Sequence, residues 1–481
     1  MGKIINISLL LCIVILLFFP AMSLSETCTQ GNCIDGRGTM TYFDGGSYDG
    51  NFRDGKFEGR GTRQYTDGRI YEGEFKKGKF DGEGTLTLRS GAKYVGQFKS
   101  GERDGHGILN LPDGRMYDGG WKDDLFEGHG EETLADGSKY VGDFKNGQRE
   151  GQGVMTLSNG KILSGEWKNN RLNGRGIVTL PNGERYEGGL KNGELDGQGV
   201  ILYPNGATRS GVFKFGKLNG KGSFKHPNGE MYEGDYKNGI HEGYGTLTLS
   251  DGTTYEGGFK DGKYSGNGTL KLSNGTLYVG EFLNGTYEGR GKLTFADGSV
   301  YEGLFKAGRA EGQGTMVYAN HNKYQGYFRN SLPDGVGQLT YADGSVFSGE
   351  MKNGKFEGKG ALEFNDGRKF AGEFRNGLFD GKGKLLFPHR GTYEGEFKNG
   401  QFDGHGTFTL LTGVTLIGEY RSGQLNGSCQ FILNDGTIVK GEYKNGVADG
   451  KWSYTDQRGM TKEWDMKDGM PEEITRSLQG I

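Results

Sequence analysis

The sequence predicts an all-β protein, an elongated single-layer antiparallel sheet of stacked β-hairpins with a 23-residue period. Three observations predict it. A Tyr-x-Gly triplet returns at a fixed interval, the residues around it alternate apolar and polar, and Asx-Gly pairs separate the alternating runs. Composition agrees. Glycine supplies 95 of 481 residues beside only 8 prolines, roughly three times its usual share without the proline of collagen. The 25 tyrosines and 29 phenylalanines are too many for a disordered polar chain. A net charge of −3 sets aside a basic nucleic-acid binder, and four cysteines are too few for a disulfide scaffold.

The first element is a leader. Lys3 precedes the apolar stretch Ile4 to Phe19, broken only by Asn6 and Ser8, and Pro20 and Ala21 end it. Ser23 and Ser25 place small residues before a cut after Ser25, the pattern of a secretory signal over residues 1–25. The stretch falls short of the ~20 residues a spanning helix needs. A cleaved signal is therefore the expectation, with an uncleaved anchor through residues 4–19 as the alternative. Either exports the remainder to the periplasm, the cell surface or the medium.

Residues 26–47 form an N-terminal half repeat, with Gly36, Gly38 and Gly45 in phase with the glycines of the array. Cys28 and Cys33 flank a short glycine-containing segment there, and an oxidising compartment makes them candidates for a local disulfide.

The array occupies residues 48–461. Tyr48-Asp49-Gly50 recurs as Tyr71-Glu72-Gly73 and Tyr94-Val95-Gly96, and the interval holds to Val439-Lys440-Gly441, giving 18 repeats. Counting Tyr71 as position 1 of its repeat, positions 3 and 12 are glycine in all 18 copies, position 1 is Tyr in 12, and position 5 is aromatic in 16. Tyr71-Glu72-Gly73-Glu74-Phe75-Lys76 alternates with period two, a strand with one buried and one wet face. Gly82-Glu83-Gly84-Thr85-Leu86-Thr87-Leu88 alternates likewise and is read as the second strand. Asn146-Gly147 and Asn399-Gly400 mark one turn, and Asp67-Gly68 and Asp297-Gly298 the other, because Asx-Gly pairs supply the positive φ angles of tight turns. Glycines opposite Tyr or Phe leave room for the ring to lie on the neighbouring backbone. No helix comes after them, so the phosphate-loop reading fails. Residues 462–481, with Trp464, are read as a cap over the last strand edge.

The motif Tyr-Glu-Gly-Glu-Phe-Lys-x-Gly-x-x-x-Gly-x-Gly, closing on Asp-Gly, resembles the MORN (membrane occupation and recognition nexus) repeat. The resemblance implies an antiparallel sheet of stacked hairpins. It implies use as a scaffold, at membranes, or as an accessory region of plant lipid kinases. The flanks of the array leave no room in this sequence for a kinase domain. Departures from the motif are Asp124, Asn170 and Ser331 at position 8, Cys429 and Trp452 at position 14, and His321 and Arg390 at position 21.

Candidate chemistry is sparse. His106, His129 and His405 share wet-face position 13. Copies one repeat apart would stand ~10 Å from each other, too far to share a metal ion. No catalytic, cofactor or metal residues are assigned, and no cofactor is expected. Position 6 is Lys or Arg in 17 of 18 copies, which the fold does not demand. Lys76, Lys99, Lys122, Lys145 and Lys168 are therefore the candidate interaction stripe. Acids at positions 2 and 4, such as Glu72, Glu74 and Glu396, share that face. One reading is a ladder of cross-strand ion pairs that deters aggregation. The other is a multivalent surface for anionic lipid or cell-wall polymer.

These readings together point to a non-enzymatic exported repeat protein offering an extended interaction or scaffold surface to protein partners, whose footprint is an uncovered groove of aromatic rings. Multivalent binding to anionic membrane lipid or cell-envelope polymer is the alternative. A hydrolase on the repeat sheet is weaker, because it would need carboxylates on the concave face that break the repeat, and none is found. The oligomeric state is left open.

Overall fold

One repeat shows how the sequence folds. Ile70–Lys76 and Lys79–Thr87 are antiparallel strands joined at Lys77 and Gly78, whose φ angles are 54° and 82°. Positive φ at both residues makes a two-residue primed turn, which matches the twist of its strands. The hairpin before it joins the next strand through a three-residue loop. The Tyr65 N–H donates to the Arg69 carbonyl at 2.8 Å, and Gly68 N–H to the Tyr65 carbonyl at 3.0 Å. Asp67 Oδ1 accepts the Arg69 N–H, which holds the Asp67 carboxyl below its usual range.

The computed structural model of the protein describes residues 26–466. The expected leader, residues 1–25, and the end of the expected cap, residues 467–481, lie outside the described residues. The described residues form 39 strands in two compact units. One holds the chain up to Asn205 together with Val212–Lys217, the other Gly206–Gly211 and the chain from Leu218 onward. In each, consecutive strands pair antiparallel in chain order. The first unit starts one strand earlier than the half repeat requires, with Thr27–Gly31 paired to Gly36–Thr41. The second ends with Thr461–Asp465 on Val447–Thr455, Trp464 opposite Trp452.

The second strand of the repeat differs from its expected form. It begins at Lys79, three residues before Gly82. Gly73 pairs with Gly84 and Phe75 with Phe80, so Glu74 alone opposes Asp81, Gly82 and Glu83. This bulge explains the invariant glycine at position 12. Gly82 has φ 101°, and the equivalent glycine of every repeat is likewise positive, a conformation costly for a side chain with Cβ. The glycine at position 14 has a different cause. A Cβ on Gly84 would lie 2.5 Å from Cζ of Tyr71, because that ring lies flat across the backbone.

Successive hairpins are also tied through their turns. Lys77 N–H donates to Glu58 Oε2 at 3.0 Å, nineteen residues earlier, and Gly78 N–H donates to the Phe57 carbonyl at 2.9 Å. The same side-chain contact recurs at Ser100 on Asp81, Asn146 on Glu127 and Asn376 on Glu357. Position 11 therefore caps the turn of the following repeat.

Candidate interaction surface

The two faces of the sheet are chemically distinct, and the ring-bearing face closes on itself. Tyr71 stacks on Phe80 with centroids 3.7 Å apart, and meets Phe75 and Phe98 edge-on at 5.0 and 5.1 Å. The pattern repeats around Tyr117, Tyr255 and Tyr393. Position 10, which carries Phe80, escaped the sequence reading, although it is aromatic at the same interval in Phe57, Phe126, Tyr264 and Phe379. Tyr71 is 0% and Phe75 3% exposed. The expected uncovered aromatic groove is therefore absent from positions 1 and 5. Rings at position 10, such as Phe57 and Phe80, reach solvent in part, as do Phe224 and Phe408 at position 16 and Tyr443 in the last copy.

The bulge supplies the hydrogen bond that tyrosine needs there. Tyr71 Oη donates to the Glu74 carbonyl at 2.9 Å, and each of the other position-1 tyrosines does the same three residues on, as in Tyr94, Tyr232 and Tyr393. Burial pushes these hydroxyls above their ordinary range, that of Tyr94 to about 12. Burial likewise lowers the imidazole of His241, which replaces a ring at position 10 and stacks on Tyr232. Cys429 is a buried free thiol, raised to about 12 by burial.

This face also carries a charged departure from the repeat. Position 16 is apolar in most repeats, as in Leu86 and Leu109, yet Glu132 occupies it in the repeat of Tyr117. Its Oε2 accepts from Nε and Nη2 of Arg149 at 2.9 and 2.7 Å. A carboxylate does break the repeat here, held in a largely buried ion pair.

The wet face carries the stripe. Lys76, Lys99, Lys122, Lys145 and Lys168 are all exposed, in the first unit. Among the described residues none of the five takes part in an ion pair. Three of the four arginines at position 6 behave otherwise: Arg53, Arg329 and Arg375 reach Glu58, Asp334 and Asp380 of their own repeats at 3.7, 3.5 and 3.4 Å. The residue opposite Lys76 is Lys79, and that opposite Lys168 is Arg171. The acids at positions 2 and 4 pair elsewhere, with positions 13 and 15 of a neighbouring strand. Arg60 meets Glu74 at 3.9 Å, Lys221 meets Asp235 at 3.0 Å and Lys384 meets Glu394 at 3.2 Å. His106 and His129 belong to this row, 3.2 Å from Asp118 and Asp143. Cross-strand ion pairs exist, but not along the lysine stripe.

In the second unit the row of positions 13 and 4 changes character. Arg290 faces Leu304, Gln313 faces Tyr327, and Val336 faces Glu350. Leu304, Tyr327 and Val336 are 40%, 47% and 63% exposed. An apolar stretch thus interrupts a charged row on the solvated face. At the other end of the chain, the sulfurs of Cys28 and Cys33 lie within bonding distance, Cα atoms 6.0 Å apart.

Comparison with known proteins assigns the architecture. The MORN repeat family matches eighteen segments between residues 34 and 438, together most of the chain. The chain belongs to the MORN repeat family. Those matches include the half repeat, as 34–47, and stop before the copy at 439–461, where Val439 replaces the position-1 ring and Trp452 the position-14 glycine. No curated protein matches the sequence. Among solved structures, the MORN protein is similar to the SAS-4 (dCPAP) TCP domain of Drosophila melanogaster, in complex with a proline-rich motif of Ana2, at 18% identity and TM-score 0.23 over 37% of this chain and 97% of that one. The TCP10 domain of Danio rerio CPAP, in complex with a STIL peptide, gives 14% identity and TM-score 0.19 over 55% and 95%. Virginiamycin B lyase from Staphylococcus aureus gives 10% and 0.11 over 58% and 90%.

Proposed function

We propose that this MORN protein is an exported, non-enzymatic scaffold whose wet face is an extended interaction surface for protein partners. The observation that carries the reading is the apolar stretch of Leu304, Tyr327 and Val336, exposed in successive repeats on a row that elsewhere is mostly polar or charged. Exposed tyrosine and aliphatic side chains framed by Arg290 and Glu350 resemble the centre and rim of a protein interface, and nothing in the repeat requires them, since other copies place Lys, His or Glu there. The ring-bearing face, closed on itself, is not the footprint.

In-envelope crosslinking with mass spectrometry tests this. Crosslinks from Lys292 and Lys359, beside the stretch, should converge on one protein and disappear in a Tyr327→Ser, Val336→Glu variant. Crosslinks spread in proportion to envelope abundance, unchanged by the variant, would refute it. A second reading, multivalent binding of an anionic lipid or cell-wall polymer, is favoured by the five lysines of the first unit with no ion pair of their own.

A further inference from the structure

The closed aromatic face of the first unit has an interruption. Position 10 in three successive repeats is Arg103, Phe126 and Arg149, so the ring that would stack on the position-1 tyrosine is missing on either side of Phe126. A cavity of about 460 Å³ opens there, floored by Leu109, Trp121, Phe126 and Phe144 and walled by Arg103, Glu132 and Arg149. This falls in the range of small-molecule pockets, mostly apolar with a few convergent polar groups.

The polar wall is rich in donors. Arg103 lies over the Trp121 ring at 4.1 Å and donates from Nε to Asp124 Oδ1 at 2.8 Å. Arg149 commits Nε and Nη2 to a single oxygen of Glu132. The third arginine of the lining, Arg115, is held by Asp113 at 2.9 Å. Thr133 Oγ1, also on the wall, is buried without a hydrogen-bond partner. The ion pair replaces the hydrophobic pair that Leu109 and Phe126 represent one repeat earlier. The Arg149 and Glu132 side chains are 13% and 22% exposed, and such a pair rarely stabilises more than an apolar pair of the same volume. Stability gives no reason to keep it.

We propose that this cavity binds a small organic anion with an apolar body, an aromatic or aliphatic carboxylate or sulfonate. The body would lie on Trp121 and Phe126, and the anionic group would take the remaining Nη1 donors of Arg103 and Arg149. This is independent of any partner on the wet face.

The test uses the exported chain with 8-anilinonaphthalene-1-sulfonate as the anionic probe and N-phenyl-1-naphthylamine as its neutral counterpart. Wild type should show one saturable site for the sulfonate, at least ~10-fold tighter than for the neutral amine. Glu132→Leu with Arg149→Phe, which restores the residue types of other repeats, should fill the cavity and remove that site while strand circular dichroism persists. Arg103→Gln with Arg149→Gln, which keeps the space, should bring the two probes to equal affinity, and it serves as the test if the filled variant does not fold. Sulfonate binding unchanged in either variant, or equal affinity of the two probes for wild type, would overturn the assignment.

Discussion

Gly84→Ala is the sharpest probe of why this repeat is built from glycine and tyrosine. The added Cβ would stand 2.5 Å from Cζ and 2.6 Å from Cε2 of Tyr71, closer than carbon atoms approach. The ring cannot swing aside, since Phe80 covers it at 3.7 Å and Phe75 and Phe98 wall it at 5.0 and 5.1 Å. Overpacking of this kind costs about 1–3 kcal/mol, and a displaced ring also loses its bond to the Glu74 carbonyl, about 1 kcal/mol. The array holds its own control: the two repeats with a side chain at position 14, Cys429 and Trp452, carry Leu416 and Val439 at position 1. In a Tyr71→Leu background the alanine should therefore cost nearly nothing, a coupling of about 2–4 kcal/mol. Native-state hydrogen exchange reads this locally. Amides of Ile70–Lys76 and Lys79–Thr87 should lose roughly 30- to 900-fold in protection for Gly84→Ala alone. An equal loss in both backgrounds would refute the account of position 14.

Three further outcomes are expected. Deleting the 23 residues Tyr232 to Thr254 should leave a shorter folded array, whereas deleting 22 of them should reverse the faces of every following strand; equal loss of strand circular dichroism would refute the repeat register. The position-1 tyrosines have folded pKa values above the unfolded value of about 10, that of Tyr94 about 12, so their contribution is complete below pH 10 and falls as pH rises toward the folded values; phenolate absorbance should grow only together with loss of circular dichroism, and ionisation of an intact sheet would contradict the burial. Changing Lys76, Lys99, Lys122, Lys145 and Lys168 together to Gln should abolish any salt-sensitive binding to acidic vesicles or cell-wall material while one change barely registers, and binding that survives the five changes removes the stripe as its cause.

The two strands, both turns and the buried face were legible because each rests on local chemistry: alternation at positions 1, 3 and 5, and Asx-Gly where φ is positive. The bulge was not. Invariant glycine at position 12 is equally consistent with a need for space and a need for positive φ, and only the backbone distinguishes them. The stacking of Phe80 on Tyr71 depends on that bulge, which brings position 10 back over position 1. The acid at position 11 reads as a solvated side chain because its partner, the turn amide of Lys77 for Glu58, lies in the next hairpin. Glu132 was visible in principle. Aligning position 16 across repeats exposes a carboxylate among leucines, but alternation within one repeat places it acceptably beside Glu131.

Departures from the motif also come in couples across repeat boundaries, and this limits how freely repeats can be exchanged. Asp124, Asn170 and Ser331 each replace the position-8 glycine, and each side chain accepts the backbone N–H of the residue twenty-one places earlier: Arg103, Arg149 and Ala310, at 3.1, 2.9 and 3.1 Å. None of those three is the ring usual at position 10. Arg149 is bound twice, backward to Glu132 and forward to Asn170. Removing the repeat Tyr140 to Ile162 should therefore differ from removing Tyr278 to Val300, although both deletions take 23 residues and preserve register. The first strands Glu132 on the aromatic face without its cation, and losing one partner of such a pair costs about 3–5 kcal/mol. The second severs no coupled departure. Chemical denaturation followed by hydrogen exchange at Leu125–Thr133 should show local opening in the first deletion alone, and Glu132→Leu should restore protection there. Matching protection in the two deletions would show that neighbouring repeats are interchangeable and that the paired departures carry no energetic coupling.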